Sequence, residues 1–322
     1  MPTDLLVRLL AEFGPWPPDV RLGPAVGEDA CALDMPAGVL VAATDPITLT
    51  GREIGRLAVT VNANDVAVMG VRPRWYLATV LLPPGTTEAD VEELFAAMRG
   101  ALAGVGAVLV GGHTEITNAV NQPVVVGQML GVAERGGFVS TAGARPGDVV
   151  IQVGVAPIEG AAVLVAEATA RLGDLDAETS RAAARGFDDP GISVVEAALA
   201  AADLGATALH DPTEGGLAAG LHELAAAAGV AVRVDRSQVL WSEAGVAVCR
   251  VLGADPWAVL ASGSLLATFD PARAARAVDA LAGLGHAVAA IGTVEAGSDV
   301  RDLDGRPIAW PERDEVARLL TP

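Results

Sequence analysis

The apolar residues of this chain come in short runs, and that spacing constrains the fold more than any other feature. Runs such as Val39–Ala43, Val108–Val110 and Val124–Val126 stop at Gly, Pro or Asp. None approaches the roughly 18–20 uninterrupted apolar residues of a membrane span, although 52% of the residues are hydrophobic. Short apolar runs alternating with amphipathic stretches read as buried strands between helices. Strands are expected at Val39–Ala43, Trp75–Leu82, Ala107–Val110 and Pro123–Val132, with helices at Ile54–Met69 and Glu88–Val105. The second of these helices opens on Thr87–Glu88–Ala89–Asp90, a capping-box pattern.

The turn-rich segments Glu134–Gly137 and Ala144–Gly147 mark a domain boundary, giving domains 1–146 and 147–322. Beyond it the pattern predicts strands at Asp148–Val153, Val230–Val234, Ser264–Phe269 and Ala287–Ile291. Helices are expected at Gly215–Ala228, Glu243–Leu252 and Pro271–Leu284, so the fold class is α+β in two sheet-and-helix sandwiches. The N-terminus Met1–Pro2–Thr3–Asp4 has no basic segment followed by an apolar one, so a cytoplasmic protein is expected. The two cysteines, Cys31 and Cys249, form no CxxC pair and suggest neither a disulfide framework nor structural zinc.

Charge excludes more than it admits. The formal net charge is −19, and the 21 basic side chains are all arginine. Without clustered basic residues there is no sequence-independent grip on nucleic acid. Without lysine there is no Walker-A loop, no kinase strand lysine and no pyridoxal-phosphate Schiff base. An acidic chain can still take a polyphosphate if a divalent cation bridges the two negative partners.

Acidic and polar motifs cluster at the ends of the expected elements: Gly27–Glu28–Asp29–Ala30, Thr44–Asp45, Asn62–Ala63–Asn64–Asp65, Gly111–Gly112–His113–Thr114–Glu115 and His210–Asp211–Pro212–Thr213–Glu214–Gly215–Gly216. Asp65 falls on the stripe Ile54, Ala58, Val61, Asp65, Val68, where a carboxylate is costly unless it caps a neighbouring loop or meets a cation. Gly111–Gly112 reads either as a tight turn or as a backbone cradle for phosphate. His113 reads as a general base beside the phosphates or as a hydrogen-bonded structural histidine. Cys249 lies in an apolar helical pattern and is expected to be buried and inert. Glu159 opens a helix as its charged N-terminus.

The ordered set GEDA, TD, NAND–VAVMG, GGHTE and DPTEGG resembles the AIR synthase-like (PurM-like) ATP-binding superfamily over nearly the whole chain. That group includes hydrogenase-maturation carbamoyl dehydratases of the HypE type, thiamine-monophosphate kinases and selenophosphate synthases. Of these, the run Gly245–Phe269 looks closest to the HypE type. The resemblance implies an N-terminal domain that dimerises through its strands and a C-terminal domain that closes over the nucleotide. It implies Mg²⁺ and ATP as cofactors and phosphoryl transfer to a carboxamide-type acceptor, small or protein-borne. It further implies that Asp29, Asp45 and Asp65 hold Mg²⁺, that Asn62, Asn64, Gly111, Gly112, Thr114 and Thr213 line the nucleotide, and that Asp211 assists catalysis. The HypE-type C-terminal cysteine has no counterpart in Leu320–Thr321–Pro322, so the acceptor is expected to be a separate molecule. A thiamine-phosphate-type kinase, or a nucleotide-binding partner without turnover, is the alternative.

Overall fold

The computed structural model describes residues 3–22, 32–35, 37–48, 53–133 and 137–320. Glu28, Asp29 and Cys31 therefore lie outside the described residues, and so does the segment 134–136. The chain divides into two units, Met1–Ala67 with Val71–Phe138, and Val68–Gly70 with Val139–Pro322.

In the first unit, helix α1 (Thr3–Ala11) precedes a short antiparallel pair, β1 (Val20–Leu22) and β2 (Ala32–Leu33). The main sheet contains β3 (Val39–Ile47), β4 (Trp75–Leu82), β5 (Val108–Ile116) and β6 (Val124–Ala133) in the order β3-β6-β4-β5. Strand β6 is antiparallel to both neighbours, while β4 and β5 are parallel. A parallel pair needs a crossover, and helix α3 (Glu88–Val105) supplies it. Helix α2 (Ile54–Ala67) joins β3 to β4 and packs on α3, β3 and β6.

Pleat alternation gives the sheet two unlike faces. Tyr76, Ala78, Val80 and Leu82 of β4 and Val125 and Met129 of β6 are buried on the helix-covered face. Leu77, Leu81, Val126, Leu130 and Val132 on the other face are half-buried, and Leu40 is exposed.

Two strands run further than the sequence pattern suggests. Strand β3 continues through Thr44–Asp45–Pro46 to Ile47. As an edge strand it can accommodate the proline. Strand β5 continues through Gly111–Glu115 to Ile116, so the glycine pair is neither a turn nor a loop but extended backbone paired with β4.

The second unit is built on a mixed sheet ordered β12-β9-β11-β7-β10-β8. Its strands are β7 (Val149–Val153), β8 (Ala208–His210), β9 (Ala231–Val234), β10 (Leu265–Phe269), β11 (Val288–Glu295) and β12 (Val300–Asp302). Helix α7 (Gly216–Ala228) buries Leu217, Leu221 and Leu224 against Val150, Val232 and Ile291. Helices α6 (Val195–Asp203) and α9 (Pro271–Gly283) also pack on the sheet. Helices α4 (Glu159–Glu167), α5 (Ala177–Ala184), α8 (Glu243–Leu252) and α10 (Glu315–Leu320) gather around a second apolar cluster that includes Leu164, Val248, Cys249 and Val316. Both units mix helix with sheet, as an α+β chain should.

The capping box at the start of α3 is fully formed. The Thr87 hydroxyl accepts the Asp90 N–H, and the Asp90 carboxylate accepts the Thr87 N–H at 2.8 Å. Replacing Thr87 with Ala is expected to cost about 1 kcal/mol, read as a lower denaturant midpoint at an unchanged unfolding slope.

Candidate functional site

Two motifs of the first unit, Thr44–Asp45 and Asn62–Asp65, come to the junction where α2 packs on β3 and β6. Asn62 on α2 is completely buried. Its Oδ1 accepts the Asp45 N–H at 2.8 Å, and its Nδ2 donates to the Asp45 carbonyl at 3.2 Å and to the Ala58 carbonyl at 2.8 Å. One side chain thus holds both backbone polar groups of Asp45, and both amide hydrogens are spent on carbonyls of the chain itself.

This close seating depends on Gly127, the residue facing Asp45 across the β3–β6 pair. A Cβ at position 127 would lie 2.4 Å from Asn62 Nδ2, 2.6 Å from Tyr76 Oη and 2.9 Å from the Ala58 carbonyl oxygen. The Tyr76 hydroxyl in this spot is buried without a hydrogen-bond partner, and burial pushes its pKa up.

Asp65 lies three residues beyond Asn62, about 4.5 Å along the helix axis. The sequence places Asp65 on the buried stripe, but the structure leaves it half-buried beside Val61, while Asn62 and Asn64 are the buried polar groups. The reason is that α2 is enclosed on most sides by α3 and the sheet, so an apolar stripe no longer marks a single buried face. Asp45 is half-buried on the helix-covered face of β3.

The glycine pair lies elsewhere on the sheet. Gly112 faces Ala78, which faces Gly127, which faces Asp45, so these four residues form one row. Three strand spacings put the two ends of that row about 14 Å apart. Gly112 has φ +148°, and a Cβ there would lie 2.1 Å from the Ala78 carbonyl oxygen. Its lack of a side chain therefore serves strand packing. The register slips between Tyr76 and Leu77, where Leu109 and Gly111 are the successive partners and Val110 is the extra residue.

Alternation sends Thr114 to the helix-covered face and His113 to the other. His113 is exposed and sits 3.4 Å from Glu115 on that other face. His113 and Thr114 therefore project from opposite faces of β5.

In the second unit, the segment after β8 is tightly tied to its own unit. Asp211 is buried. The Thr213 carbonyl accepts the N–H groups of Gly216 at 3.1 Å and Ala261 at 3.2 Å, and Gly215 N–H donates to Asp314 at 2.7 Å. The N-cap amide of Gly215 and the first helical amide of Gly216 are thus already engaged. His210 contacts Glu223 at 2.8 Å. His222 contacts the Ile308 carbonyl at 2.8 Å and stacks on Trp310, a structural role.

Sequence reasoning missed an acidic group around this turn. Glu159, read as a simple helix N-terminus, is buried. Desolvation raises its pKa, a hydrogen bond from Ser262 opposes this, and Asp314 and Glu214 raise it further. Asp314 is also raised, first by desolvation, despite backbone hydrogen bonds from Gly215, Val316 and Ala317. The available signal was a carboxylate set between the apolar segments Ala156–Ile158 and Gly160–Leu164. Cys249 is buried as expected, and its thiol is pushed up to about 12, chiefly by burial.

Among the described residues, no group of three or more His, Cys, Asp or Glu side chains is arranged to hold a metal ion. Asp29 lies outside them. Asp45 on β3 and Asp65 on α2, three residues beyond the Asn62 that binds the Asp45 backbone, offer carboxylate oxygens, which fit a hard cation such as Mg²⁺. No described helix is long and apolar enough to cross a membrane.

Comparison with known proteins decides the family. Residues 27–133 match the AIR synthase related protein, N-terminal domain, and residues 145–303 match the AIR synthase related protein, C-terminal domain. The chain belongs to the AIR synthase-related family. Within that family it is 31% identical over 278 residues to a carbamoyl dehydratase HypE of Cupriavidus necator, covering 83% of this chain and 77% of the relative. The crystal structure of E. coli HypE, a hydrogenase maturation protein, superposes with a TM-score of 0.81 at 25% identity, over 98% of this chain and 99% of that one. A HypE solved in complex with ATP shares the fold with a TM-score of 0.76 at 24% identity, over 96% of this chain and 93% of that one. The two-domain PurM-like α+β architecture of the family is therefore the architecture of this chain.

Two measurements check this geometry. A carboxyl whose folded pKa is raised keeps a proton that the unfolded chain has released. The penalty from Glu159 is therefore absent below its ordinary value of 4.5 and grows as pH rises through the folded value. Glu159→Gln is expected to match the parent near pH 4 and to be the more stable of the two near pH 8, in paired denaturant titrations. Thiol labelling of the native protein at about pH 8 should leave Cys249 unmodified until denaturant is added, as mapped by peptide mass.

Proposed function

We propose that this chain is a Mg²⁺–ATP-dependent enzyme of the HypE-like branch that phosphorylates a carboxamide carried by another molecule, as a step toward its dehydration. The observation carrying this reading is the junction of α2 and β3, where Asn62 fixes the backbone of Asp45 one helical turn from Asp65. The relatives named carbamoyl dehydratase and the HypE solved with ATP support it. Residues 1–146 form the nucleotide-binding and dimerisation domain, and 147–322 form the second domain.

In this reading Asp45 and Asp65, with Asp29, hold the cation, and Asn64, Gly111, Gly112 and Thr114 line the nucleotide. Asp211 and Thr213 keep the roles expected of the DPTEGG segment. Bound Mg²⁺ would neutralise charge on the phosphates, which this lysine-free chain cannot do with ammonium groups. The carboxylates would hold the cation that meets the polyphosphate, and phosphorylating the acceptor oxygen would make it a better leaving group. Cys249 is too deeply buried to carry the acceptor.

The half-buried apolar residues on the sheet face opposite α2, together with exposed Leu40, support a homodimer formed through this sheet. Sedimentation should give about twice the 32.4 kDa chain mass, and a monomer across a wide concentration range would contradict it.

Mg²⁺–ATP is expected to raise the melting temperature through linkage, and Asp65→Ala to abolish that shift. Carboxamide acceptors should stimulate ADP formation. Phosphate left on a phosphate-monoester acceptor would instead favour a small-molecule kinase of the thiamine-monophosphate type, and nucleotide binding without turnover on any acceptor would favour an assembly partner.

A further inference from the structure

We infer that Asn62 is a positioning residue for Asp45 and not a contact to the nucleotide, with Gly127 providing the space in which it works. The inference rests on the reading that Asp45 holds the cation, and it assigns the site a built-in support.

The amide of Asn62 has one acceptor oxygen and two donor hydrogens. Oδ1 takes the Asp45 N–H at 2.8 Å, and the two hydrogens go to Asp45 O at 3.2 Å and Ala58 O at 2.8 Å. No amide hydrogen remains for a phosphate oxygen, and the side chain is completely buried. The Ala58 bond ties the amide to its own helix and sets which end faces which group. The two Asp45 bonds then transmit that orientation to the strand, as a neighbouring strand would.

Asparagine suits this place for a specific reason. Aspartate would keep the acceptor but lose both donations, leaving two carbonyls short of a donor beside a buried charge. Alanine would lose all three bonds. A methyl at position 127 would enter the space of Nδ2, at 2.4 Å, and would force the amide away from Asp45. Tyr76 Oη shares this space but makes no hydrogen bond there, so it contributes volume and not orientation.

Support of this kind alters how firmly a cation is held more than how a nucleotide is contacted, and losing it typically costs 10–100-fold in metal affinity. The test measures ATP affinity by calorimetry across a Mg²⁺ series for the parent, Asn62→Ala, Gly127→Ala and Tyr76→Phe. The Mg²⁺ concentration for half-maximal ATP binding should rise at least about tenfold in the first two variants. ATP affinity at saturating Mg²⁺ should recover toward the parent value, and Tyr76→Phe should follow the parent throughout.

Asn62→Ala with an unchanged Mg²⁺ midpoint would overturn the inference while leaving the nucleotide reading intact. A loss of ATP affinity that saturating Mg²⁺ does not restore would make Asn62 a direct phosphate contact and overturn it as well. A parent protein that shows no Mg²⁺-dependent ATP binding would remove the reading on which it rests. If the variants fail to fold, amide hydrogen exchange on the parent decides. The Asp45 N–H, held by a buried side chain, should exchange at least about a hundredfold more slowly than an unprotected amide, and rapid exchange would overturn the inference.

Discussion

Helix α2 can lie directly on its sheet because residue 127 has no side chain, and the architecture of the first unit follows from that contact. With Gly127 beneath it, Asn62 reaches the backbone of Asp45, and the helix carrying Asn64 and Asp65 is held against β3. A larger residue would collide with Asn62, Tyr76 and the Ala58 carbonyl and push the helix from the sheet. The same device recurs at the other edge of the sheet, where Gly112 lets β5 approach Ala78. The glycines of these motifs are thus first a condition of packing, and they place the chemistry by permitting close approach.

The second unit stabilises its turn differently. Asp314 accepts amide hydrogens of Gly215 and Val316 at 2.7 Å each, which compensates part of the cost of its burial. Glu159 lies within electrostatic reach of Asp314 and Glu214, and only Ser262 favours its charged form. Buried carboxylates near one another resist ionisation. The turn that carries Asp211 and Thr213 is therefore assembled around groups whose charge the fold disfavours.

Much of this was legible in the sequence where local signals are strong. Strand β4 and helices α3 and α8 have the bounds that periodicity and the Thr87 cap predict. Asp45 and Gly111–Glu115 were misread as strand ends because Asp, Pro and Gly disfavour strands in general. They persist as strand here because β3 stays paired with β6 through Ile47 and β5 with β4 through Ile116. The stripe that singled out Asp65 was misleading because α2 is enclosed on most sides. The face on which His113 projects depends on how far β5 extends. Glu159 and Asp314 are far apart in the chain, so nothing local could pair them.

Net charge sets the condition under which any of this can bind a nucleotide. On the proposed reading, a chain of charge −19 without lysine that offers carboxylates at its site meets a polyphosphate through a cation. Calorimetric titration of ATP into the parent protein, once with Mg²⁺ and once with a chelator, tests that claim directly. Binding with Mg²⁺ and no measurable binding in the chelator is the predicted result. Equal affinity in both would contradict it and would mean that arginine and backbone groups, and not the carboxylates, hold the phosphates.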